Sequence, residues 1–189
     1  MTNRNSNWKS ESGKCKGPIP LLPAGKDYLW GGRRLRDDFS KDIPLTPLAE
    51  TWECSTHPDG LSLLAEDPDK TLHELLQENP WMFGTHPAKS MPEAVEKGEL
   101  PVLIKFIDAA ADLSVQVHPD DAYAREHENG QLGKSEMWYV VDAAPGAKLV
   151  YGFSHDMDRE RVREAAQNGT LEKHLQRVPI RKDDVFFIP

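Results

Sequence analysis

From Pro101 onward the chain is a series of short apolar runs, each closed by turn residues: PVLIKFIDA, LSVQVH, EMWYVVDA, AKLVYGF and DVFFIP. Each is too short for a stable helix and is rich in Val, Ile, Phe, Tyr and Trp, the residues that suit a pleated surface. In LSVQVH, Leu113, Val115 and Val117 alternate with Ser114, Gln116 and His118. A period of two gives a strand two distinct faces. Short strands of this kind, interrupted by helical pieces and many turns, predict a mainly β sandwich or barrel.

The helical pieces have their own signatures. Thr71 followed by Glu74 forms a capping-box pattern, and Leu72, Leu75 and Leu76 then fall on one face of a short helix that stops before Pro80. PEAVEKG suggests a turn of helix over 92–98. PDDAYAREHENG reads as a helix stopped near Gly130, and Val162, Ala165 and Ala166 mark an amphipathic helix between Asp156 and Asn168. A second short helix is expected from Thr170 to about Gln176. Residues 1–17 are polar and aperiodic and read as a flexible N-terminal tail, leaving 18–189 as one domain. DVFFIP reaches Pro189 without a turn or partner strand, so the sequence reads as a fragment of a longer chain, with its barrel incomplete.

Composition narrows the function classes. The net charge of −8, with no basic block beyond GGRRLR, argues against a nucleic-acid partner. No apolar run is long enough for a membrane span, and MTNRNSNWKSESGKCKG lacks a secretory core, so the cytoplasm is the expected compartment. Cys15 and Cys54 form neither a disulfide framework nor a metal-type pair.

The polar face of LSVQVH collects Ser114, Gln116 and His118, and on the next strand Lys134, Glu136 and Trp138 share a face. Lys105 interrupts the apolar run of the preceding strand, where a buried ammonium requires an anion or a polar cavity. An imidazole nitrogen and a carboxylate oxygen are ordinary zinc ligands, and an amide oxygen is an allowed weaker donor. The same residues equally suit a plain wet strand face, with Glu136 neutralised by Lys134. The residue types alone leave both readings open.

The order of these stretches carries a resemblance. PVLIKFIDAAADLSVQVHPDDAYA, GKSEMWYVVDAAPGAKLVYG and DDVFFIP, preceded by YLWGGRRL and AETWECSTHPDG, resemble the class I mannose-6-phosphate isomerases, zinc enzymes of the cupin superfamily. The resemblance implies a jelly-roll core with a helical insertion. It also implies Zn²⁺ held by Gln116, His118 and Glu136, with Lys134 and Lys105 as catalytic residues and Ser114, Lys105 and Trp30 meeting a sugar-phosphate substrate. His57 and His86 are left as structural or loop residues. In the family a further metal-binding histidine and a catalytic arginine follow the strand that matches DVFFIP, and Pro189 precedes both. The implied reaction interconverts mannose 6-phosphate and fructose 6-phosphate through an enediolate. The alternative is an inactive cupin fragment that binds metal or sugar phosphate.

Overall fold

The computed structural model describes residues 17–189, so the polar tail expected over 1–17 lies almost wholly outside the described residues. The chain divides between Leu113 and Ser114 into two compact units.

The first unit contains β1 (Leu21–Leu22), β2 (Ala24–Lys26), α1 (Arg34–Asp37), β3 (Glu50–Cys54), β4 (Leu63–Leu64) and β5 (Asp67–Thr71). After these come α2 (Leu72–Glu78), a 3₁₀ turn at Pro80–Phe83, α3 (Thr85–Ser90), α4 (Pro92–Lys97) and β6 (Ile104–Ile107). Two antiparallel sheets result, in the orders β1–β4–β5 and β2–β3–β6. The capping box forms as the sequence requires: Thr71 Oγ1 accepts the Glu74 N–H at 3.1 Å, and Glu74 Oε2 accepts the Thr71 N–H at 2.8 Å. Helix α2 then buries Leu72, Leu75 and Leu76 against Leu64, with Ile19, Leu21, Met82, Phe83 and Leu100 packed around them. Burying each such side chain contributes about 1.5–3 kcal/mol.

The Gly-Gly turn after Trp30 has a steric cause. A Cβ on Gly31 would lie 2.5 Å from the Ala49 Cα, inside the backbone of the segment leading into β3. This close approach lets Gly31 bridge Ala109 and lets the Trp30 carbonyl accept from the Ala110 and Ala111 N–H groups.

The second unit contains α5 (Asp121–His127), β7 (Glu136–Tyr139), β8 (Lys148–Phe153), α6 (Arg159–Gln167), a 3₁₀ turn at Leu171–His174, β9 (Leu175–Pro179) and β10 (Val185–Ile188). Its strands form two antiparallel pairs, β7–β10 and β8–β9. Among the described residues no sheet closes into a barrel.

Two expectations need correction. Residues 113–118 form no strand: no ladder pairs them among the described residues, and Val115 and Val117 are exposed along with Ser114 and Gln116. Alternation describes a strand's faces but supplies no partner for its backbone, and among the described residues none pairs with it. The helix expected from Thr170 to Gln176 is a single 3₁₀ turn that passes at Leu175 into β9, because Val178 and its neighbours pair with β8.

Candidate functional site

Although no ladder forms at 113–118, His118 and Glu136 meet. The segments that flank them are stitched together by backbone and capping bonds. The Pro119 carbonyl accepts the Lys134 N–H at 3.0 Å, and Asp121 Oδ1 accepts the Gly133 N–H at 2.8 Å. Asp120 caps α5 by accepting the Tyr123 N–H at 2.8 Å. A Cβ on Gly133 would stand 2.6 Å from the Asp120 carbonyl carbon, so only glycine lets the two segments approach this closely. The HPDD and GKSE sequences are therefore the two halves of one clasp.

The clasp leaves His118 Nε2 3.3 Å from Glu136 Oε2, with side chains only 8% and 19% exposed. Lys134 Nζ lies 3.5 Å from the other carboxylate oxygen, Oε1. Glu136 opens β7 and is held by β10, opposite Ile188, while Trp138 lies opposite Phe186. As the period of two requires, Glu136 and Trp138 are half-buried, whereas Met137 and Tyr139 are exposed on the other face. Gln116 is exposed and its amide nitrogen is 3.4 Å from Ser114 Oγ. His118, Glu136 and Lys134 thus form one cluster, and Gln116 and Ser114 form a neighbouring pair in sequence and contact.

Two buried polar atoms in this region lack partners, His118 Nδ1 and Trp138 Nε1. A buried polar group left unpaired costs about 1–3 kcal/mol, so each of these atoms calls for a hydrogen-bond partner such as water. Two donors about 2.0–2.1 Å from a tetrahedral ion stand about 3.3–3.4 Å apart, close to the separation of His118 Nε2 and Glu136 Oε2. The donor set of imidazole, carboxylate and amide suits zinc. Among the described residues no three His, Cys, Asp or Glu side chains gather in metal-ligand geometry, so the amide of Gln116 or water would have to complete the shell.

In the first unit, Lys105 on β6 finds the anion its position requires. Its Nζ lies 3.0 Å from Oε1 of Glu50, whose side chain is 6% exposed. The other oxygen of Glu50 accepts the Trp52 indole N–H at 2.6 Å. β3 and β6 are neighbours with Trp52 opposite Lys105, which places the pair across the ladder. Lys26 Nζ lies over the Trp52 ring, 4.4 Å from its centroid. Tyr28 stacks on Trp30 with ring centroids 5.5 Å apart. Burial pushes the Tyr28 phenol above its usual value, and the negative charges of Glu50, Asp59 and Asp27 push it further the same way. Glu50 has no part in the sequence reading. Its signal there was indirect, a lysine in an apolar strand with no stated anion, beside the ETWEC strand that carries a carboxylate two residues before a tryptophan. His57 packs edge-on to Trp52 and accepts the Asp59 N–H at 3.2 Å, and His86 sits exposed on α3.

Small antiparallel sheets with helical insertions, matched by a solved phosphomannose isomerase structure, place the chain among cupin-type proteins. Residues 19–144 match the type I phosphomannose isomerase catalytic domain, and the chain belongs to that family. It is 39% identical over 174 residues to the probable mannose-6-phosphate isomerase GmuF of Bacillus subtilis, covering 91% of this chain and 52% of that protein. The crystal structure of the mannose 6-phosphate isomerase from Bacillus subtilis superimposes with a TM-score of 0.80 at 38% identity, covering 92% of this chain and 53% of that one. The Salmonella typhimurium enzyme bound to its substrate (f6p) and zinc has a TM-score of 0.62 at 18% identity, covering 90% and 63%, a likeness of fold. The chain spans about half the length of the curated relatives it matches.

Proposed function

We propose that this chain carries the metal- and substrate-handling residues of a zinc-dependent aldose–ketose isomerase that interconverts mannose 6-phosphate and fructose 6-phosphate. The observation that carries the reading is the His118–Glu136 clasp, a buried imidazole 3.3 Å from a carboxylate with Lys134 on the carboxylate's far oxygen. Family membership and the zinc and substrate bound by the Salmonella typhimurium enzyme support it.

In this reading Gln116, His118 and Glu136 hold the metal. The hard step is removal of a weakly acidic proton beside a carbonyl, which builds charge on oxygen. Zinc, when bound, supplies Lewis-acid stabilisation of that charge. Lys134, with its side chain 46% exposed, is the group placed to move the proton or to offset charge beside Glu136. Ser114 offers a hydroxyl to substrate oxygens. Lys105 spends one N–H on Glu50 and retains two for the sugar phosphate. Trp30 supplies an apolar wall beside Tyr28.

The test is zinc content after dialysis, measured beside isomerase turnover in a coupled assay. His118→Ala and Glu136→Ala should each hold one zinc fewer than the parent chain. Unchanged zinc in either variant removes the ligand assignment. Zinc lost on mutation, with sugar phosphate bound but no turnover in the parent, selects the second reading, a non-catalytic binder. That reading is retained because the chain spans about half the length of its relatives.

A further inference from the structure

We infer that His155 and His174 form a second site for a borderline divalent metal ion, separate in residues and elements from the His118–Glu136 clasp. The two histidines come together because β8 and β9 pair with Phe153 opposite Leu175. The residue two past β8's end and the residue just before β9's start are therefore neighbours. His155 Nε2 and His174 Nδ1 lie 3.2 Å apart, with the rings edge to face.

The local hydrogen bonds fix the tautomer. The His174 carbonyl, which can only accept, lies 3.1 Å from Ser154 Oγ and also takes the Ser154 N–H at 2.8 Å. The single hydroxyl proton of Ser154 therefore points at that carbonyl. Ser154 Oγ also lies 3.0 Å from His155 Nδ1, so at that contact the hydroxyl accepts and Nδ1 carries the ring proton. Nε2 of His155 therefore accepts from His174 Nδ1–H across the 3.2 Å contact, and an ion shared by the two nitrogens would displace that proton. This is the arrangement of metal-binding histidines, in which the distal N–H is anchored and the opposite nitrogen donates to the ion. Two nitrogens bound to one tetrahedral zinc stand about 3.3–3.4 Å apart, so the pair needs almost no movement to share an ion.

The pair opens on a cavity of about 390 Å³ that is also lined by Met157, Glu164, Asn168, Thr170 and Arg161, whose guanidinium is paired with Asp158 at 3.6 Å. A thioether, a carboxylate, an amide and a hydroxyl suit the outer positions of such an ion or the waters that complete its shell. With two fixed protein donors, this site should fill only at higher zinc concentration than the clasp.

Equilibrium dialysis against excess zinc, followed by metal analysis, tests this. In a chain already carrying His118→Ala and Glu136→Ala, one zinc per chain should remain and should be lost on adding His155→Ala or His174→Ala. No zinc in the starting double variant, or the same zinc after His155→Ala, overturns the proposal. Should the double variant fail to fold, the comparison is made in the parent chain. There His155→Ala, an exposed position, should lower bound zinc by one ion with an unchanged circular dichroism spectrum. Equal zinc in parent and variant overturns the proposal in that setting too.

Discussion

Replacing Glu50 by alanine should be among the most damaging single changes in the first unit, and the structure gives its size. The carboxylate accepts from Lys105 Nζ at 3.0 Å and from the Trp52 indole at 2.6 Å while remaining 6% exposed. Loss of the charge-assisted bond removes about 1.5–3 kcal/mol, and a buried indole N–H without an acceptor costs about 1–3 kcal/mol more. The Lys105 side chain is 21% exposed, so water recovers part of its solvation. The net loss should be about 3 kcal/mol, at the lower edge of the range for breaking a buried ion pair. With a urea dependence of about 2 kcal/mol per molar, the unfolding midpoint should fall by about 1.5 M. Equilibrium urea unfolding followed by tryptophan fluorescence measures this, and Trp52 reports locally because it loses its acceptor. Glu50→Gln, which keeps an oxygen for the indole, should cost about half as much. Pairing Glu50→Leu with Lys105→Met should cost less than the two single changes summed, because neither charge is then left alone. An alanine variant within about 0.5 kcal/mol of the parent, or strict additivity in the double variant, refutes the reasoning.

Gly133→Ala tests the clasp. Its Cβ would stand 2.6 Å from Asp120 backbone, so the two segments must separate, and bound zinc should fall as it does in Glu136→Ala while the first unit's unfolding is unchanged. Full zinc in that variant would show that the clasp does not position the pair. The capping box predicts a pH dependence. The Thr71 backbone N–H and hydroxyl hold the Glu74 carboxyl below its usual range, so its stabilisation is present above the ordinary carboxylate value and lost as pH falls through the lowered one. Glu74→Gln should therefore be less stable than the parent at neutral pH and converge with it in acid. Thermal melts whose difference stays constant from about pH 7 to about pH 2 contradict that sign.

The sequence was most informative where a local rule acts alone. Thr71 and Glu74 needed only their spacing to predict a cap, and Leu72, Leu75 and Leu76 only theirs to predict a buried face. Period two placed Glu136 and Trp138 on one side of β7 and Met137 and Tyr139 on the other. It failed at 113–118 because alternation is a property of side chains, whereas a strand is made by backbone partners elsewhere in the chain. His118 and Glu136 nevertheless meet, through the PDD and GKS turns and not through adjacent ladders. Lys105 announced that it required an anion but not which one, since Glu50 reaches it only through the β3–β6 register, a long-range fact with no local trace.

The pairing of β7 with β10 bears on when the His118–Glu136 clasp can form. Glu136 lies opposite Ile188, roughly fifty residues downstream, so among the described residues its strand has no partner until that loop closes. On the ribosome, the carboxylate emerges well before the segment that fixes it, and the imidazole earlier still. The meeting of this carboxylate and imidazole is thus a late step in folding, reached only after synthesis has passed Ile188.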